Sequence, residues 1–86
     1  MSKTIDWNDQ RAFLAVLDTG SLSAAARRLG VAQATVRSRI ESLEATLDAV
    51  LFTRSVNGLA PTDRALGLIE PARAMANASE AFVRTA

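Results

Sequence analysis

Four arginines, Arg27, Arg28, Arg37 and Arg39, fall between Thr19 and Ile40, a stretch without a single Asp or Glu in a chain that carries nine acidic residues and a formal net charge of only +1. A guanidinium with no carboxylate nearby offers a rigid fork of donors to phosphate oxygens or to acceptors on base edges. The same stretch contains Gln33, Ala34, Thr35, Arg37 and Ser38, all small, polar or basic. Such side chains approach base edges without steric conflict. Gln pairs with adenine and Arg with guanine in bidentate fashion, while Ala or a Thr methyl meets the thymine methyl. A carboxylate among them would face about one phosphate charge per 1.7 Å of duplex axis.

Charge is segregated along the whole chain. Met1 to Gly20 carries −1 (Lys3 and Arg11 against Asp6, Asp9 and Asp18), Ser21 to Ile40 carries +4, and Glu41 to Asp63 carries −3 (Arg54 against Glu41, Glu44, Asp48 and Asp63). This pattern suits one face that meets a polyanion and another that does not.

The missing residue types narrow the chemistry further. The 86 residues include no cysteine and no histidine, which removes disulfides, thiolate and imidazole metal ligands and histidine acid–base catalysis together. There is no glycine-rich phosphate loop, and the carboxylates sit on separate elements, so neither an enzyme nor a cofactor or metal is expected. The length is that of one small domain, and 49% hydrophobic with 22% charged residues suits a folded chain. The opening "MSKTIDWNDQ" lacks an apolar run of signal-peptide length, and no later run approaches the roughly 20 residues of a membrane span. The expectation is a soluble cytoplasmic protein with no membrane partner.

These side chains need elements to hold them. "DWNDQRAFLAVLDTG" reads as a helix capped by Asp6 or Asn8 and ended at Thr19-Gly20, with Trp7, Phe13, Leu14, Val16 and Leu17 as candidate core residues. Ser21 caps a short second helix, "LSAAARRL", which Gly30 closes. A third helix is expected from about Gln33 to Leu47, with Val36, Ile40, Leu43 and Leu47 as one apolar stripe. Val50 to Thr53 and Leu59-Ala60 read as short strands around an Asn57-Gly58 turn, with Pro61 at the hairpin edge. Thr62 then starts a long helix in which Ala65, Leu68, Ala72, Met75, Ser79, Phe82 and Ala86 form an a/d seam. Pro71 is expected to kink that helix or to cap a break in it. The fold class is therefore mainly α: a three-helix winged helix-turn-helix with a small β-hairpin wing and a long C-terminal linker helix. Residues 5–62 form the winged domain, with the helix-turn-helix at about 22–41, and residues 63–86 form a linker and dimerisation helix.

A helix-turn-helix requires a small residue where its helices cross, an abrupt turn and an apolar wedge between them. Ala26, Leu29, Gly30, Val31, Val36 and Ile40 supply these at the required spacing. On a helical wheel, Ala34, Ser38 and Glu41 then lie opposite the core stripe, with Arg37 and Ser42 on the flanks. The N-terminal turns of such a helix enter the major groove. Glu41 and Glu44 come one and two turns later, where the helix is expected to leave the groove. One of Arg27 and Arg28 is expected to meet a phosphate, and Arg27 is the candidate. Arg54 either contacts DNA or pairs with Glu44 or Asp48. Met75 and Phe82 lie far along the last helix with little domain to cover them, so a second copy of that helix is the expected partner.

Taken together, "DW..QRAFLAVLDTGSLSAAARRLGVAQATVRSRIESLEATL...LFTR...GLAPT" resembles the N-terminal DNA-binding domain of LysR-type transcriptional regulators, over nearly the whole chain from about Asp6. The resemblance implies a recognition helix in the major groove of double-stranded DNA, a wing beside the minor groove, and a homodimer through the linker helix at Leu68, Met75 and Phe82. It implies contact positions at Ser23, Gln33, Ala34, Thr35, Arg37, Ser38 and Arg54. It also implies an effector domain with a small-molecule inducer site outside this chain, which would then be a natural fragment or a truncated form. The chain departs from the family pattern at four places. Ala32-Gln33-Ala34 replaces the common Ser-Gln-Pro, Arg37-Ser38 stands where Ser-Arg is common, Asp48 replaces a usual Gly, and Gln10 replaces an apolar residue. The competing reading is a winged-helix module used for protein–protein assembly through the seam helix, since the fold hosts both roles; the acid-free stretch favours DNA.

Overall fold

In the computed structural model, which describes residues 4–86, Asp6 begins the first helix by accepting a hydrogen bond from the Asn8 amide on its Oδ1 at 2.7 Å. Lys3, counted in the charge of the first segment, lies outside the described residues. Helix α1 (Trp7–Thr19) ends at Gly20 in the left-handed conformation. Ser21 caps α2 (Leu22–Leu29) by accepting the Ala24 amide at 3.1 Å, and Gly30 ends it. The turn closes with the Val31 amide donating to the Ala26 carbonyl at 3.1 Å, and α3 (Gln33–Leu47) follows. These boundaries match the caps read from the sequence, because each cap acts within three or four residues of itself.

The helices pack around Phe13, Val16, Val36 and Leu51, the largest fully buried side chains. Ala25 and Ala26 are buried where α2 crosses its neighbours, and Leu29 and Val31 pack against the core from its edge. Phe13 meets Phe52 with ring centroids 5.6 Å apart; truncating such a buried ring costs about 3–5 kcal/mol. Leu14 is also buried and Leu17 packs on the core, whereas Trp7 is only half-buried and stands outside the core cluster. The expectation for Trp7 is thus corrected. In the first turn its indole flanks the groove between α1 and the last helix, with Ala76 and Ser79 on the facing wall.

Strands β1 (Phe52–Ser55) and β2 (Gly58–Pro61) form an antiparallel hairpin pairing Phe52 with Pro61, Arg54 with Leu59 and Ser55 with Gly58. The two-residue loop is therefore Val56-Asn57, one position earlier than the Asn57-Gly58 turn expected, and among the described residues Asp48 is the only non-glycine with positive φ. Val50 and Leu51 precede the strand. The Leu51 amide donates to Glu44 Oε2 at 2.7 Å, and the Leu51 carbonyl accepts from the Thr62 amide at 2.9 Å.

The long C-terminal helix is broken. Thr62 caps a single turn, α4 (Asp63–Leu66), and α5 (Ile69–Thr85) begins after Gly67-Leu68. Pro71 lies in the first turn of α5, where an amide would have no partner inside the helix, and the Ala72 amide opens the ladder by donating to Leu68 at 3.0 Å. The interruption expected from Pro71 thus falls just ahead of it. Ala72 is buried against the winged domain while Met75 and Phe82, further along, are exposed.

Candidate nucleic-acid interface

The first turns of α3 stand out from the body of the protein. Val36, Ile40 and Leu43 are buried, whereas Gln33, Ala34, Arg37, Ser38, Glu41 and Ser42 are exposed, with Ala34, Ser38 and Glu41 opposite the buried stripe as the helical wheel requires. Thr35 and Arg39 are half-buried on the flanks. The N-cap residue Ala32 offers no side-chain acceptor, and the Thr35 and Val36 amides donate to its carbonyl at 3.1 and 3.2 Å.

Beside this exposed stripe runs an open cleft of about 420 Å³, walled by the start of α2, by α3 and by the wing. It brings together Ser23, Gln33, Arg37 and Arg54 from three separate parts of the chain. Arg27, Ala34, Thr35 and Ser38, also read as contact residues, lie outside the cleft, with Ala34 and Ser38 on the outer surface of α3 and Arg27 exposed on α2. Among the described residues, Gln33, Arg37 and Arg54 make no ion pair and no side-chain hydrogen bond, so their donors remain available. Arg54 pairs with neither Glu44 nor Asp48. Glu44 already accepts the Leu51 amide, and Asp48 ends α3 in a left-handed conformation at φ 52°.

Arg27 and Arg28 differ in their relation to Asp18. Arg28 Nη1 lies 3.6 Å from Asp18 Oδ2, and Arg73 Nη2 of α5 lies 2.7 Å from Asp18 Oδ1. The hydrogen bond to Asp18 and its negative charge raise the Arg73 pKa above its ordinary value. Arg27 is exposed and has no such partner among the described residues.

Three features of the site had no signal in the sequence that local rules could read. Ser21, the cap of α2, also lines the cleft, with its Oγ 3.4 Å from that of Ser23. Glu41, expected where the helix leaves the groove, stands on the cleft wall with Arg37. The wing is tied to the α1–α2 turn, with the Leu59 amide donating to the Gly20 carbonyl at 2.9 Å. Each depends on a contact between distant segments.

On α5, Met75, Phe82 and Val83 are 45%, 76% and 71% exposed. Leu68, read as a dimerisation residue, is half-buried and packs against the core of its own domain. It shares an apolar groove of about 210 Å³ with Ile5, Phe13, Leu43, Leu47 and Met75. Among the described residues there is no cluster of metal-ligating side chains, and no helix is long and apolar enough to cross a membrane.

Comparison with known proteins accords with this geometry. Residues 7–66 match the family model of the bacterial regulatory helix-turn-helix protein, lysR family. The chain is 41% identical over 76 residues to the small neutral protease regulatory protein of Streptomyces coelicolor, covering 88% of this chain and 23% of that protein. It is 34% identical over 76 residues to the HTH-type transcriptional regulator ClcR of Pseudomonas putida, covering 88% and 26%. The chain thus spans about a quarter of the length of these relatives. The crystal structure of the CbnR DBD–DNA complex superimposes with a TM-score of 0.83 at 32% identity, covering 94% of each chain. The oxidised form of Corynebacterium glutamicum OxyR gives a TM-score of 0.92 at 21% identity, covering 99% of this chain and 28% of that one, a likeness of fold.

Proposed function

This chain belongs to the lysR family of bacterial regulatory helix-turn-helix proteins, and from that premise we propose that it binds double-stranded DNA sequence-specifically as the DNA-binding part of a transcription regulator. The observation that carries the reading is the exposed start of α3. Gln33, Ala34, Arg37 and Ser38 face outward ahead of Glu41, the first acid of α3, and none of their side chains is engaged within the protein. Helix α3 enters the major groove with these residues on base edges, and the wing with Arg54 lies over the adjacent minor groove. Ser23, Thr35 and Arg27 hold the sugar-phosphate backbone to either side.

The active form is a homodimer, with Met75 and Phe82 of α5 covered by a second copy; their exposure supports this. The pair of recognition helices then reads half-sites about one helical turn, 34–36 Å, apart. The winged domain spans residues 5–62 and the linker residues 63–86. The rest of the regulator, an effector domain taking a small-molecule inducer, lies outside this chain, as the relatives' greater length suggests. The role is regulatory and not catalytic, in the cytoplasm where the DNA is.

Selection of bound oligonucleotides from a random duplex pool tests the reading. A spaced, two-fold symmetric site is expected, with affinity falling steeply as salt rises because phosphate contacts release counterions. Recovery of no preferred site would overturn it.

A further inference from the structure

Two carboxylates stand on the wall of the α3–wing cleft, Glu41 and Glu44. Glu44 has a structural use, accepting the Leu51 amide at 2.7 Å where the chain turns toward the wing. Glu41 has none: it is exposed and, among the described residues, makes no ion pair and no side-chain hydrogen bond. Arg37 lies one turn before it on the same helix but does not neutralise it. That order, with the cation on the N-terminal side, is the weaker arrangement for a helical pair, whereas Glu80 and Arg84 in the opposite order approach to 3.9 Å. A free carboxylate therefore stands on the stripe that carries Arg37, about 6 Å further along the helix axis.

We propose that Glu41 is a specificity-determining residue that reads an exocyclic base amine, cytosine N4 foremost; the proposal rests on the DNA-binding reading above. The chemistry leaves few alternatives. An ionised carboxylate only accepts hydrogen bonds. Phosphates, guanine N7 and O6 and thymine O4 are acceptors too, and all repel it. In the major groove only the amines of cytosine and adenine donate, and adenine sets its N7 acceptor beside the amine whereas cytosine does not. Glu41 thus rewards a cytosine about two base-pair rises from the base read by Arg37, and it opposes docking on duplexes that present acceptors there. Specificity arises as much from that rejection as from the contact.

The test compares oligonucleotides selected from a random duplex pool by the chain and by its Glu41→Ala and Glu41→Gln variants, with thermal melting to confirm that each is folded. The chain is expected to select C·G at one position of each half-site. Glu41→Ala should lose that preference alone, by about tenfold in relative affinity, and should bind random duplex more tightly. Glu41→Gln should turn the same position toward adenine, which Gln contacts in bidentate fashion. If both variants select the site chosen by the parent, with or without tighter binding to random DNA, Glu41 reads no base and the proposal fails. If the parent selects no site, the DNA-binding reading fails with it.

Discussion

Gly58 lies directly against Gly20: a Cβ at position 58 would overlap the Gly20 carbonyl oxygen, and the next amide, that of Leu59, donates to the same oxygen at 2.9 Å. Through this joint the wing is held against the turn from which α2 starts, so Arg54 on the wing and Ser21 and Ser23 at the start of α2 face one cleft. The φ of 131° at Gly58 is a second reason that no side chain belongs there.

Gly58→Ala should therefore act twice. The overlap and the strained backbone should lower stability by about 2–3 kcal/mol, measured by urea denaturation. In the fraction that remains folded, the displaced wing should weaken DNA binding. A variant as stable as the parent would mean that the joint yields easily.

Replacing Arg37 by Ala should cost about 1–3 kcal/mol at the preferred site and much less on random duplex. Its guanidinium is exposed, unpaired among the described residues and one turn into α3. Fluorescence anisotropy on both duplexes makes the comparison. Equal losses on the two would identify a phosphate contact.

Phe82→Asp should shift the chain toward monomer in sedimentation analysis. The ring is 76% exposed at the far end of α5, so the substitution leaves the monomer core untouched, while a carboxylate buried against a second copy would be strongly unfavourable. An unchanged dimer would locate the interface elsewhere.

Both ends of α3 leave room for stabilisation. Asp48 holds a left-handed conformation at φ 52° and puts a negative charge at the helix C-terminus. Asp48→Gly should relieve both and raise stability by about 1 kcal/mol. Ala32 begins the helix without a side-chain acceptor, so Ala32→Ser should add a similar increment of about 1 kcal/mol. Melting curves of the single and double variants should show the two gains adding, since the ends of a 15-residue helix are far apart.

The first three helices and their caps were legible in the sequence because a cap satisfies amides three or four residues away and an apolar stripe repeats every turn. Asp6, Ser21, Gly20 and Gly30 needed no knowledge of the rest of the chain, and the outward face of α3 followed from the inward one. The break before α5 was half legible, in Pro71. What required the folded chain was whatever joins distant segments. Gly58 reads locally as half of a turn, but its conformation serves the Gly20 carbonyl, so the hairpin loop moves to Val56-Asn57. Trp7 reads as core by type, yet whether α1 turns it inward depends on where α5 lies. Glu44 and Glu41 are alike in sequence. Only the path of the chain from Leu47 to Leu51 brings a backbone amide to one and leaves the other open, because a hydrogen bond responds to position in space and not to order along the chain.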